Sequence, residues 1–568
     1  MNKYMRKIIS LFLIFVLLAV SAGSVCFAET PPSVADEVRI DVYVNGKKVQ
    51  DEAYTIKGNL YISLDTLKKY GDAGFFTFNT GDLKAYFNAA DLDMFFADTE
   101  TTNFIKSNAG KVYLPIKYFK GDYRISLGSV SQLCKLFYRY ENGAVYLYPY
   151  KDIARILVAH KNAPAVGMNG GKIGSSVKLA NGTMVTIVSE STSFYKVKDF
   201  SGSEYYVSKA DMDEKSGKTV SNYIRNASAK DTLAAQFNLV WMTTELRSND
   251  TSLTGLAPEK QDGIDVMSPV WMRLEVDGGG NIKNYCEYGF TELCHANGVK
   301  VWACVNNNFE AKGSTAFTTK MLTTTSMRNK AVAQYLLYAC IYDVDGLNVD
   351  FEGMERSVIK EGYTAFIKEL SKHGSKLGLT ISLATPAASP YWQRYFDFAE
   401  LGKVVDYICP MTYEEHYSRA VGAGSTMSPP WFSSTTDALA EIIGGDKVLM
   451  GVPFFTQYWE FDPSGNIVDC YAITMNTSMR YISEHDATPV WDEEAGQYIA
   501  EYKLENGNTA KIWMEDPRSM AVKLQYTKDA GIAGTACWVY GQQTADMLDV
   551  FGKVFKQGVA PADIPGYW

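Results

Sequence analysis

The chain of 568 residues sets 64 acidic side chains against 55 basic ones, for a formal charge of −9. With no long basic block, that balance excludes the electrostatic footprint of a nucleic-acid binder. Beyond the N-terminus no segment offers about 18 uninterrupted apolar residues, so no membrane span is expected, and the length leaves room for about three or four domains.

Lys3, Arg6 and Lys7 precede the apolar run IISLFLIFVLLAV, which gives way to small residues around SVCFAET. This is the anatomy of a secretory signal peptide. Residues 1–28 are read as that signal, cleaved after Ala28, so the protein is expected outside the cell or at its wall. Val25 ahead of Cys26 argues against a lipid anchor, which needs a small residue there. The later cysteines sit singly in apolar runs such as WACV, YICPM and GTACW, with neither paired spacing nor adjacent histidines. Buried thiols are expected in preference to disulfides or a metal site, and no cofactor is called for. Nothing in the sequence sets the oligomeric state.

Residues 38–150 alternate apolar and polar positions in short runs, among them VRIDVYVNGKKV, GNLYISLDTLKKYG, KVYLPIKYF and NGAVYLYPY, with Asn45-Gly46 and Asn142-Gly143 as hairpin signals. The succession of IDVYVNGKKV, YISLDTLKKYG and ISLGSVSQLCKLFYRYENGAVYLYP resembles the copper amine oxidase N-terminal-like domain, an α+β module common on secreted bacterial proteins. No histidine precedes His160, so copper is not expected here. Residues 155–213 turn to a compact all-β pattern of short strands and Gly-rich turns, with Tyr195-Lys196-Val197 and Tyr206-Val207. They resemble a small bacterial SH3-like barrel, a fold used for wall attachment or as a spacer.

From 230 to 560 the apolar runs QFNLVW, VMSPVWM, VKVWACV, DGLNVDFEG, LGLTISLATP, VVDYICPM, VLMGVPF and GIAGTACWV recur with room for a helix between each. That spacing predicts a (β/α)₈ TIM barrel. The last interval is longer and holds β-like runs around ATPVWDEE and QYIAEYKLENGNTAKIWM, which predicts a small α+β insertion on the upper face.

In DGLNVDFEGM, Asn348, Asp350 and Glu352 alternate with Leu347, Val349 and Phe351. On a barrel strand one set faces the helices and the other climbs the interior. Glu352 is therefore expected at the carboxyl end, where barrel enzymes keep their chemistry. Two carboxylates in a low-dielectric site do not both ionise cheaply, so a raised Glu352 pKa, suited to a general acid, is expected. No Lys or Arg from Val344 to Met354 is at hand to pair with them.

DGLNVDFE resembles the D-x-x-D-x-D-x-E signature of glycoside hydrolase family 18, with Asp345, Asp350 and Glu352 matched and Asn348 in place of the middle Asp. MTYEEHY resembles the family's Met-x-Tyr-Asp element with Glu414 in place of Asp, LMGVPFFTQYW its seventh strand, and GTACWVYG its eighth strand ending in Trp. The Asn variant is most similar to the spore-germination and cortex-lytic N-acetylglucosaminidase branch.

The resemblance implies retaining, substrate-assisted cleavage of β-1,4 bonds at N-acetylglucosamine in peptidoglycan or spore cortex. Chitin is the alternative substrate, and a silent wall-binding lectin is the alternative in kind. Glu352 is then the acid, Asp350 orients the substrate's acetamido group, and Tyr413 donates a hydrogen bond to it. Asp345 and Asn348 support them, Asn348 through a hydrogen bond to Asp350. Trp538 is expected to form the floor under the sugar, with Met411, Glu414 and Trp459 in further substrate contacts.

Overall fold

The computed structural model describes residues 37–568 apart from several stretches, the longest of them 89–110, 165–177, 217–232 and 244–256. The signal-peptide reading and most of the polar linker near 215–230 lie outside the described residues. Strands between Glu37 and Pro149 form one nine-stranded sheet, antiparallel except where Glu37–Val44 runs parallel to Ala144–Pro149. Asn45 and Gly46 both take positive φ, 49° and 79°, as a two-residue hairpin turn between Glu37–Val44 and Lys47–Ile56 requires. A second, antiparallel sheet of five strands follows, in which Arg155–Ala159 pairs with both Met184–Glu190 and Met212–Ser216. Its core is Leu157, Val185, Val197 and Val207.

The rest of the chain builds a parallel barrel. Its staves are β1 (Phe237–Met242), β2 (Val266–Leu274), β3 (Lys300–Asn306), β4 (Gly346–Asp350), β5 (Thr380–Pro386), β6 (Tyr407–Met411), β7 (Leu449–Pro453) and β8 (Gly534–Trp538). Ladders run in sequence from β1 to β6, and β8 joins β1 to β7. Between β6 and β7 the barrel closes through a single bridge, Ile408 to Val448. Side chains reinforce that seam. Thr412 Oγ1 donates to the Gly451 carbonyl at 2.5 Å above the bridge, and Lys447 Nζ donates to the carbonyls of Gly402 (2.7 Å) and Val405 (3.1 Å) below it.

Leu347, Val349 and Phe351 pack outward into the main core with Ile359 and Phe366, and the Phe351 and Phe366 rings stack at 5.2 Å. The helix expected after β4 is interrupted by a π-type turn at Ile359–Tyr363 and resumes at Thr364–Gly374, with Phe366, Ile367 and Leu370 buried. Gly378, at φ 69°, caps the following 3₁₀ turn in the left-handed region that favours glycine.

The run LMGVPFFTQYW is two strands, not one. β7 ends at Pro453, and Phe455–Phe461 opens a separate antiparallel sheet with Ile467–Thr474, Val490–Asp492, Gln497–Lys503 and Thr509–Met514. With the helix Met475–Glu484 this is the insertion between β7 and β8. A Cβ at Gly451 would lie 2.4 Å from the Pro410 carbonyl oxygen and 3.2 Å from the Tyr413 ring, so only glycine lets the rim of β6 lie this close to β7.

Candidate active site

Asp350 is the last residue of β4 and stands level with Asn306 of β3 and Ala384 of β5, at the carboxyl end of the barrel. Two residues lower on the same face, Asn348 is fully buried. Its Oδ1 accepts from Trp241 Nε1 at 2.9 Å, and its Nδ2 donates to Ser382 Oγ at 2.9 Å and to Cys409 Sγ at 3.8 Å. Those bonds run sideways across the barrel and take the place of the expected bond to Asp350, since same-face neighbours on a strand stand roughly 7 Å apart. Asp350 Oδ1 is left buried without a hydrogen-bond partner.

Asp345 does not belong to this group. It precedes β4 at the lower end, where His295 Nε2 meets its Oδ2 at 2.8 Å, the Val301 N–H donates to it at 2.8 Å and Lys300 Nζ lies 3.6 Å away. Five residues of extended chain separate it from Asp350 by roughly 17 Å. Burial pushes the Asp345 carboxyl up, but the charge and hydrogen bond of His295, with Lys300 and the Val301 N–H, hold it below the usual range. Burial lowers His295, and Asp345 more than reverses this.

Two cavities open at the upper rim. The first, of about 220 Å³, is lined by Asp350, Glu352, Met411, Tyr413, Glu414 and Trp538. The second, of about 480 Å³, shares Glu352, Met411 and Glu414 with it and extends over the residues that follow β4 and β5. Trp459 lines neither cavity. It is fully buried in the insertion sheet, because it lies beyond the Pro453 end of β7, and the expected substrate contact is corrected accordingly.

Asp350, Glu352 and Glu414 are shifted toward their neutral forms. Burial, then the charges of Glu352 and Glu414, drive Asp350 well above the usual carboxyl range. Burial, then exposed Glu310, raises Glu352. Burial and Glu352 push Glu414 up to about 7. Burial raises the Tyr413 phenol as well, with the neighbouring acids adding to it, so it remains a hydrogen-bond donor at any working pH. A protonated carboxyl can donate a proton and a neighbouring carboxyl, once ionised, can hold developing positive charge, which is the chemistry of glycosidic cleavage.

Several residues here carried no clear sequence signal. Trp241, at the end of β1, lines the first cavity, as do Tyr417 and Phe455. Trp241 was legible in principle, because strand ends on one barrel face collect at the site. Asn307, just past β3, donates from Nδ2 to the Glu352 carbonyl at 2.7 Å, and its Oδ1 accepts from the Glu352 N–H at 3.0 Å. This reciprocal pair mimics one more rung of the β3–β4 ladder and fixes the backbone from which Glu352 projects. No local pattern distinguishes Asn307 from Asn306 or Asn308.

A parallel barrel with proton-holding acids above one strand end, facing an aromatic-walled cavity, has the architecture of a glycoside hydrolase. Residues 259–543, half of the chain, match the family model for glycosyl hydrolases family 18. The chain belongs to that family, and it is a glycoside hydrolase. It is 24% identical over 270 residues to the uncharacterized glycosylase YvbX of Bacillus subtilis, a match covering 46% of this chain and 75% of that protein. It is 25% identical over 229 residues to the cortical fragment-lytic enzyme of Bacillus subtilis, covering 38% of this chain and 52% of that protein, about half its length. The solved spore cortex-lytic enzyme SleL of Bacillus cereus aligns at a TM-score of 0.49 with 17% identity, over 56% of this chain and 74% of that one.

Proposed function

We propose that this hydrolase cleaves the β-1,4 bond on the reducing side of N-acetylglucosamine in peptidoglycan or its cortex form, by a retaining, substrate-assisted route. One observation carries the mechanism: Asp350 and Glu352 leave a single strand on one face. A retaining enzyme with its own nucleophile places two carboxyls about 5–5.5 Å apart on opposite sides of the bond. Glu414 is no better placed for attack. It borders both cavities beside Glu352, and a group titrating near pH 7 is largely protonated in mildly acidic conditions.

The substrate's own acetamido oxygen supplies the nucleophile instead. Glu352 protonates the leaving oxygen. Asp350 takes the acetamido N–H on its unpartnered oxygen and steadies the charge of the bicyclic intermediate. Tyr413 donates to the acetamido oxygen, and Trp538 gives the sugar's C–H face an apolar floor. Met411 and Glu414 flank the bond.

The cortex-lytic names among the relatives support peptidoglycan over chitin. In this reading residues 1–28 export the protein, 38–150 form the copper amine oxidase-like module, and 155–213 form an SH3-like barrel that holds the wall while 230–560 cleave it. Mass spectrometry of digested peptidoglycan, cortex fragments and chitin oligomers tests the assignment. A new reducing N-acetylglucosamine end is expected from the first two. A reducing end on the other wall sugar would overturn it.

A further inference from the structure

We propose that the larger cavity beyond Glu352 receives a leaving sugar that bears a carboxylate, and that Arg356 is the residue recognising that carboxylate. The inference rests on the peptidoglycan reading above and names what lies across the cleaved bond. A general acid protonates the oxygen shared by two sugars, so cavities meeting at Glu352 hold the two sides of that bond. Asp350, Tyr413 and Trp538 line only the smaller one, which leaves the larger for the departing sugar.

That cavity has an apolar wall in Trp392 and Phe396, and its charged lining is acidic at Glu352, Glu355 and Glu414. Arg356 is the one cation among its lining residues. The guanidinium lies over the rings of Tyr391 and Tyr395, at 5.5 and 5.7 Å, and forms no ion pair with any described residue. A guanidinium held by ring faces keeps its N–H donors for a ligand. Its planar fork matches a carboxylate bidentately, whereas a neutral sugar gives no reason for a lone cation among three acids.

In peptidoglycan every second sugar carries a lactyl ether ending in a carboxyl, either free or continued into a stem peptide that itself ends in carboxylates. Both sources present the same chemistry to Arg356.

The test compares full-length wild type with Arg356→Met and Arg356→Lys. The substrates are defined wall oligosaccharides with and without the stem peptide, their methyl esters, and chitin oligomers of equal length. In Arg356→Met the ratio of kcat/KM for the free acid over its ester is expected to fall roughly tenfold, the size of one charge-assisted contact, with partial recovery in Arg356→Lys. A fall confined to peptide-bearing substrates supports recognition through the peptide's carboxylate. An unchanged ratio with and without peptide overturns the inference and leaves the peptidoglycan reading standing. Wild-type protein that cleaves chitin oligomers and neither wall substrate overturns both.

Discussion

Glu352 carries the most direct prediction at the scale of single residues. Glu352→Gln keeps shape and hydrogen-bonding reach but removes the proton, so turnover is expected to fall about 10²–10⁴-fold with oligosaccharide binding retained. Full activity in a folded variant would remove Glu352 from the mechanism. Glu414 allows a test of electrostatics independent of substrate. Its pKa is raised from 4.5 to about 7 by burial and by Glu352, so its contribution to stability is complete below pH 4.5 and lost as pH rises through about 7. Glu414→Gln is therefore expected to melt several degrees above wild type at pH 8, for a difference on the order of 3 kcal/mol, and level with it at pH 4. Equal melting at pH 8 would deny the burial of that charge. The acids were legible because alternation on a strand forces a choice of face, and an Asp-x-Glu pair on the inner face has few structural uses. Asn307 and Arg356 were not. One acts through a backbone in a different element, and the other lies just past the strand in residues without periodicity.

Elements show where a sequence motif mixes two jobs. The eight residues from Asp345 to Glu352 span the full height of the barrel, so one end of the motif lines the cavity and the other braces the foot of the barrel. Asp345→Asn is expected to lower stability by about 1–3 kcal/mol through the loss of the His295 and Val301 contacts. At a temperature where both proteins are folded its kcat should stay within about threefold of wild type. A large kcat loss at unchanged stability would return Asp345 to a supporting role in the site. The barrel strands were readable from apolar runs of strand length at helix-sized intervals. The end of β7 was not, because Pro453 separates two apolar segments that read as one, and that misplaced Trp459. Its backbone belongs to the insertion sheet, where it pairs with Cys470 on one side and, across a much longer stretch of chain, with Lys511 on the other.

In chain order, a sheet of nine strands and one of five precede the barrel. If those sheets deliver it to an insoluble polymer, a chain starting at Lys230 should hydrolyse soluble oligosaccharides at the rate of the mature protein but sediment poorly with wall material. Equal cosedimentation would place the wall contacts on the barrel itself. The succession of two β-rich segments and a parallel barrel was legible from changes in texture along the chain, since alternation, turn density and helix-sized spacing each report a different architecture. The thinness of the closure between β6 and β7 was not, because the apolar runs report strands and not how many rungs two of them share.

The seam between β6 and β7 matters for motion. Every other pair of staves shares a ladder of four or five residue pairs, whereas these two share one bridge. Local opening starts where backbone pairing is sparse, so amides of Ile408, Cys409, Met411 and Leu449–Val452 should exchange with deuterium ahead of those in β3, β4 and β5. The first cavity straddles this line, with Met411 and Tyr413 on one side and Trp538 beyond β7 on the other. An oligosaccharide gripping both sides acts as a clasp, and its binding should slow exchange at the seam more than anywhere else in the barrel. Thr412→Val removes the hydroxyl staple to Gly451 and should quicken opening while leaving the buried acids in place. The weakest stave joint would then be the place where the enzyme feels its substrate mechanically, and uniform exchange around the barrel would show that it does not.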